Sequence, residues 1–194
     1  LLFPSFVLAQ TELVMNRLSM ENTVSIQTTL FGPVQVQLKN SKTGALLYEA
    51  VLNGPGTFHA SDLPPQSLNN LILYSVPGKP SIASPFLYRL PFSANADWSI
   101  SQGFHGHSSH NDALNEYAVD FDIPFGTPVL AARTGVVMEV IDEFPDKGGA
   151  RKSDLEHANL IRIMHEDGSM AVYGHLMQDS AVVSPGLWLV GGTV

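Results

Sequence analysis

The feature that most restricts this chain is the lack of a helical period between residues 23 and 91, where apolar runs are short and cut by turn residues. Val34, Val36 and Leu38 alternate with Gln35, Gln37 and Lys39, the period of two that turns one face of a strand inward. The turn Ser41-Lys42-Thr43-Gly44 leads into an apolar run from Ala45 to Leu52. Asn53-Gly54-Pro55-Gly56 and Leu63-Pro64-Pro65 punctuate the next pieces, and Leu71 to Val76 and Phe86 to Leu90 read as further strands. This pattern predicts a small β-sandwich-like module over residues 20–91 with no chemistry of its own. His59 stands alone in it and reads as a surface or turn residue.

After a junction near residues 91–98 comes a loop, Ser101 to Glu116, that holds His105, His107 and His110. Strands are expected again at Tyr117 to Phe121, Val129 to Ala132, Gly135 to Ile141, Asn159 to Met164 and Ser169 to Leu176. Asp167-Gly168 is a hairpin turn signal between the last two. A polar insertion from Glu143 to His157, carrying Lys147, Arg151 and Lys152, reads as an exposed loop. The expected class is all-β, with an antiparallel sheet domain over residues 98–194 following the first module. Gly 16 and Pro 13 suit a chain of many turns and short strands.

Residues 1–9 are apolar and uncharged. They fall far short of the roughly 20 residues that span a bilayer. They read as the remnant of a signal peptide with Gln10 as the new N-terminus, which predicts a periplasmic or secreted protein whose mature chain is not inserted in a membrane.

The balance of 10 Lys+Arg against 18 Asp+Glu gives a net charge of −8, and no basic run stands out, so a nucleic-acid partner is not expected. With no Cys the chain has no disulfide, no thiolate metal site and no Cys nucleophile. Any metal would be held by His and carboxylates. Six of the seven His fall between His105 and His175. His157 and His165 read as structural, while His105 and His107, flanking Gly106, suit the lining of a groove.

The residues around these His narrow the choice. Ser109-His110, the run from Tyr117 to Arg133 and Gly135-Val136-Val137 closely resemble the metal-binding opening of the lysostaphin-type zinc metallopeptidases. Asn159 to Ile163, His165-Glu166-Asp167-Gly168 and Tyr173-Gly174-His175-Leu176 resemble that family's central hairpin, and Val183 to Gly192 the segment after it. The likeness runs from about Gln102 to Val194. It implies that His110 and Asp120 bind Zn²⁺, with Asp122 the competing carboxylate and His107 the competing histidine. It implies a catalytic role without metal binding for His175, whose other reading is a packed strand histidine. The family's third ligand comes from a C-terminal His-x-His motif. The sequence ends before one, so this chain is expected to hold zinc weakly unless His105 or His107 substitutes.

The resemblance implies a zinc endopeptidase acting on peptidoglycan cross-links or stem peptides. The competing reading is a non-catalytic relative that binds peptidoglycan or activates a partner cell-wall hydrolase.

Overall fold

The computed structural model describes residues 11–14, 22–79, 85–93, 95, 97–112, 115–146 and 158–194. The segment read as a signal-peptide remnant, the charged tip of the polar insertion and His157 lie outside these residues. Among the described residues the fold is all-β, in four antiparallel sheets, with a single 3₁₀ turn at Pro65–Ser67. No helix among them is long and apolar enough to cross a membrane.

The first two sheets follow the alternating pattern. Strands β1 (Thr11–Val14), β2 (Val24–Thr28) and β5 (Gly56–Ala60) form one sheet in the order β1-β2-β5. Strands β3 (Pro33–Asn40), β4 (Leu46–Asn53) and β6 (Leu71–Pro77) form another in the order β4-β3-β6. Val34, Val36 and Leu38 of β3 and Val24 and Ile26 of β2 are almost fully buried and meet in one apolar cluster with Leu30, Leu52, Ala60 and Leu63. Burying a side chain of this size contributes about 1.5–3 kcal/mol. That cluster explains why the period-two signal is strongest in β3, the central strand. His59 is on β5, exposed, and shares a 3.2 Å hydrogen bond with Ser25 Oγ across the sheet.

Strands β9 (Gly135–Ile141), β10 (Leu160–Met164), β11 (Met170–Gly174) and β12 (Trp188–Leu189) form the third sheet, ordered β11-β10-β9-β12. Gly135 opens β9 where a side chain has no room. A Cβ there would run into the Met164 carbonyl and stand 2.7 Å from Ile163 Cγ2. The Asp167-Gly168 turn joins β10 to β11, with Gly168 at φ 84°. His165 braces that turn from inside: it is buried, its amide donates to Ser169 O and its Nδ1 lies 2.9 Å from Thr134 O. The fourth sheet is the pair β7 (Ser99–Gln102) and β8 (Asp120–Asp122).

Two strands expected from sequence do not form. Phe86–Leu90 lies between Pro85 and Pro91, adopts no regular structure and exposes its large side chains, Leu87 by 94%. Val129–Ala132 is also irregular, although Leu130 and Ala131 donate to the Pro91 and Thr193 carbonyls. Both runs are short and lie side by side, Arg89 N donating to Ala132 O and Leu130 N to Pro91 O, but these bonds do not extend into a regular ladder. The strand read at Tyr117–Phe121 shrinks to Asp120–Asp122 because the preceding residues turn back on the loop.

By compactness the described parts of Leu1–Leu87 and Thr134–Leu189 form one unit, and those of Tyr88–Arg133 and Val190–Val194 a second. The β9–β12 sheet therefore groups with the sandwich, where the Phe31 amide donates to Met138 O at 3.1 Å.

Within the first unit β9 buries a charge. Glu139 is 5% exposed and accepts a 3.2 Å hydrogen bond from Arg162 Nε on Oε2, while Oε1 has no partner among the described residues. Burial pushes the Glu139 carboxyl above its usual range, and Arg162, by attraction and hydrogen bonding, offsets only part of that rise. A carboxyl raised on folding binds its proton more tightly in the native state. Its stabilisation is therefore complete below the unfolded value of 4.5 and is lost as pH climbs through the raised folded value. Denaturant midpoints measured from pH 4 to pH 8 should fall relative to those of Glu139→Gln. A tenfold change in proton affinity corresponds to about 1.4 kcal/mol. Parallel profiles for the two proteins would show that Glu139 is not buried as described.

Candidate metal centre

Strand β7 delivers the chain into a closed loop, and β8 carries it out. The loop is folded on itself: His110 N donates to Gly106 O, Glu116 N to Asp112 O and His105 N to Glu116 O. Phe104 and Tyr117 meet edge to face, 5.8 Å between ring centres. Beneath the strands Phe92 packs edge-on against Phe121. These contacts bring residue 110 back beside the start of β8, ten positions further along the chain.

His110 is 3% exposed, and both ring nitrogens face acceptors. Nδ1 is 2.9 Å from Gly103 O, and because a carbonyl only accepts, Nδ1 carries the proton. Nε2 is 3.2 Å from Asp120 Oδ1. It can serve that oxygen through a second ring proton or through a cation that the two atoms share. Adjacent corners of a zinc tetrahedron with N and O ligands stand about 3.3 Å apart, so the pair is spaced as two ligands of one ion would be. A histidine ligand ordinarily donates its other N–H to a carbonyl or carboxylate, as His110 does to Gly103. By donor chemistry and spacing the two residues fit a zinc ion.

The second oxygen of Asp120 is held elsewhere. Gln102 Nε2 donates to Asp120 Oδ2 at 3.0 Å and to Ser109 Oγ at 2.8 Å. Its Oε1 accepts from the amides of Ser108 and Ser109 at 3.0 and 3.3 Å. The β7–β8 register sets Gln102 opposite Asp120 and Ser99 opposite Asp122. Asp122 is thus one full side-chain repeat further from the loop than Asp120.

No family model matches the chain, and no curated protein or solved structure does either.

His105 and His107 are exposed. His105 leans on Tyr117, 5.2 Å between ring centres, and stands 3.9 Å from Glu116, an ion-pair distance of little energetic weight at the surface. Among the described residues no group of three or more His, Asp or Glu side chains converges on one point.

His175 belongs to the other compact unit and follows directly on β11. Its neighbours are fixed on both sides. Gly174 pairs with Leu160 across β10, and Leu176 exchanges hydrogen bonds with Asn159: its amide donates to the Asn159 carbonyl, and Asn159 Nδ2 donates to its carbonyl. Held between them, His175 is exposed and takes the left-handed conformation at φ 59°. A non-glycine residue there is uncommon and costs energy, and such positions gather at functional sites.

Gln102 and Asn159 are the residues that sequence reading passed over. Gln102 stood only at the edge of the resemblance and Asn159 only at the start of a hairpin. The polar residue before a buried strand was the available sign for Asn159; nothing local marks Gln102.

Proposed function

We propose that this protein is a zinc-dependent endopeptidase of the lysostaphin type, acting in the periplasm or outside the cell on peptide bonds of peptidoglycan. The division into a signal remnant at residues 1–9, a module at 20–91 and a peptidase core at 98–194 belongs to the same reading. Its main support is the His110–Asp120 pair, 3.2 Å apart, with the other ring nitrogen already committed to Gly103. His110 and Asp120 would hold the metal. Zinc, when bound, supplies a Lewis acid and activates water for attack on a carbonyl. His175, exposed at a fixed turn, is suited to moving a proton or steadying developing charge on the substrate. The exposed rings of Phe104 and Tyr117 leave the loop open to an extended, polar peptide.

A second reading differs in what it asks of the site. A catalytic zinc takes three protein ligands, and the described residues offer two together. A relative that binds peptidoglycan without cleaving it, or that activates a partner hydrolase, needs no third. The two readings separate in one experiment on protein expressed from its full reading frame. Incubation with cross-linked muropeptides should yield new amino and carboxyl termini by mass spectrometry, abolished by a chelator and restored by Zn²⁺. Binding to peptidoglycan without new termini would favour the non-catalytic reading.

A further inference from the structure

We propose that Gln102 is a positioning residue for this centre, its amide deciding which oxygen of Asp120 is presented to His110. The inference rests on the metal reading above and adds a residue that holds a ligand without touching the ion.

The Gln102 amide has two N–H donors and one oxygen with two acceptor sites, and all four capacities are used. The donors go to Asp120 Oδ2 and Ser109 Oγ, and the acceptor sites to the amides of Ser108 and Ser109. A flipped amide would set N–H against N–H, so the network itself fixes the orientation. With Oδ2 taken, Oδ1 is the oxygen free to face His110 Nε2. Asp120 needs such a hold, because its side chain is 49% exposed and otherwise free to rotate.

The loop is shaped around this side chain. A Cβ at Gly106 would collide with Gln102 Cγ and stand 2.7 Å from Cδ and Oε1. Glycine at 106 is what lets the chain wrap the glutamine closely enough for Ser108 and Ser109 to reach it. One residue thereby ties β7, the loop and β8 together next to the ligand pair.

Outer-sphere partners of metal ligands typically change affinity by about 10–100-fold. Gln102→Met keeps the length and removes all four hydrogen bonds. Gly106→Ala keeps every bonding group and displaces the glutamine. Gln102→Glu keeps the acceptor for Ser108 and Ser109 and loses the donor to Asp120. Zn²⁺ affinity, read by competition with a chelating dye, is expected to fall by about 10–100-fold in all three. Wild-type affinity in Gln102→Met overturns the proposal. Wild-type or tighter affinity in Gln102→Glu overturns it too, because closing the loop would then suffice.

A readout without metal separates this from the functional reading. In the metal-free protein the His110 ring Nδ1–H is expected to exchange faster in Gln102→Met than in wild type, with thermal melting reported alongside. Unchanged exchange overturns the positioning role. Faster exchange in a protein whose wild type binds no Zn²⁺ would sink the metal reading and leave Gln102 as the residue that holds the pair.

Discussion

In protein expressed from the full reading frame, Asp120→Asn and His110→Ala are each expected to remove zinc binding, with Asp120→Asn folding as well as the wild type. The two variants remove different halves of one pair. Asp120 is half exposed, so replacing its carboxylate with an amide of the same shape leaves packing intact and takes away the charge and one ligand. His110 is buried and its Nδ1–H serves Gly103 O, so His110→Ala opens a gap and removes one of that carbonyl's donors; Gly106 N, at 3.2 Å, remains. Some stability is lost with that part-buried hydrogen bond, about 0.5–1.5 kcal/mol. The affinity loss should exceed the roughly 100-fold upper figure for outer-sphere changes, since a ligand itself is gone. Metal analysis after dialysis, with thermal melts beside it, checks both. Stoichiometric zinc in Asp120→Asn would move the centre away from this pair.

His175 should behave in the opposite way: substitution leaves zinc in place and removes hydrolysis. A group that moves a proton or steadies developing charge in the transition state is worth about 10²–10⁴ in rate. Alanine is an imperfect probe, because the left-handed backbone at this residue costs a residue with a Cβ about 1–2 kcal/mol and alanine gains nothing in return. Asparagine tolerates that conformation better. His175→Asn is therefore expected to fold and bind zinc like the wild type while kcat falls by about 10²–10⁴. Zinc loss in both variants would make His175 a ligand, and full activity in His175→Asn would make it a strand-end residue only.

The amino-acid pattern disclosed what depends on near neighbours. Val34, Val36 and Leu38 declared their strand because alternation is local, and the buried cluster they join follows from it. Phe86–Leu90 and Val129–Ala132 misled for the complementary reason. An apolar run looks like a strand from its own residues, but a regular ladder needs a neighbour in register over several residues, and that is set by the rest of the fold. At the candidate centre, it was the resemblance to the lysostaphin-type peptidases, not spacing, that pointed to His110, Asp120 and His175. The register that sets Asp120 rather than Asp122 beside the loop depends on how β7 pairs with β8, which no spacing states. Gln102 was illegible for the same reason, since its partners lie six to eighteen positions away.

The Asn159 side chain does more than hold the turn at His175. Its Oδ1 accepts from the Phe144 amide at 2.9 Å and its Nδ2 donates to the Phe144 carbonyl at 2.8 Å. A buried asparagine thus clasps the chain where it leaves β9 and where it re-enters β10, as a ring binder closes whatever pages lie between. Lengthening the stretch between those two points costs only about 0.6 kcal/mol per doubling in closure entropy. For protein engineering, Phe144 and Asn159 are therefore the two points to leave untouched, because one side chain fastens β9, β10 and the turn at His175 together.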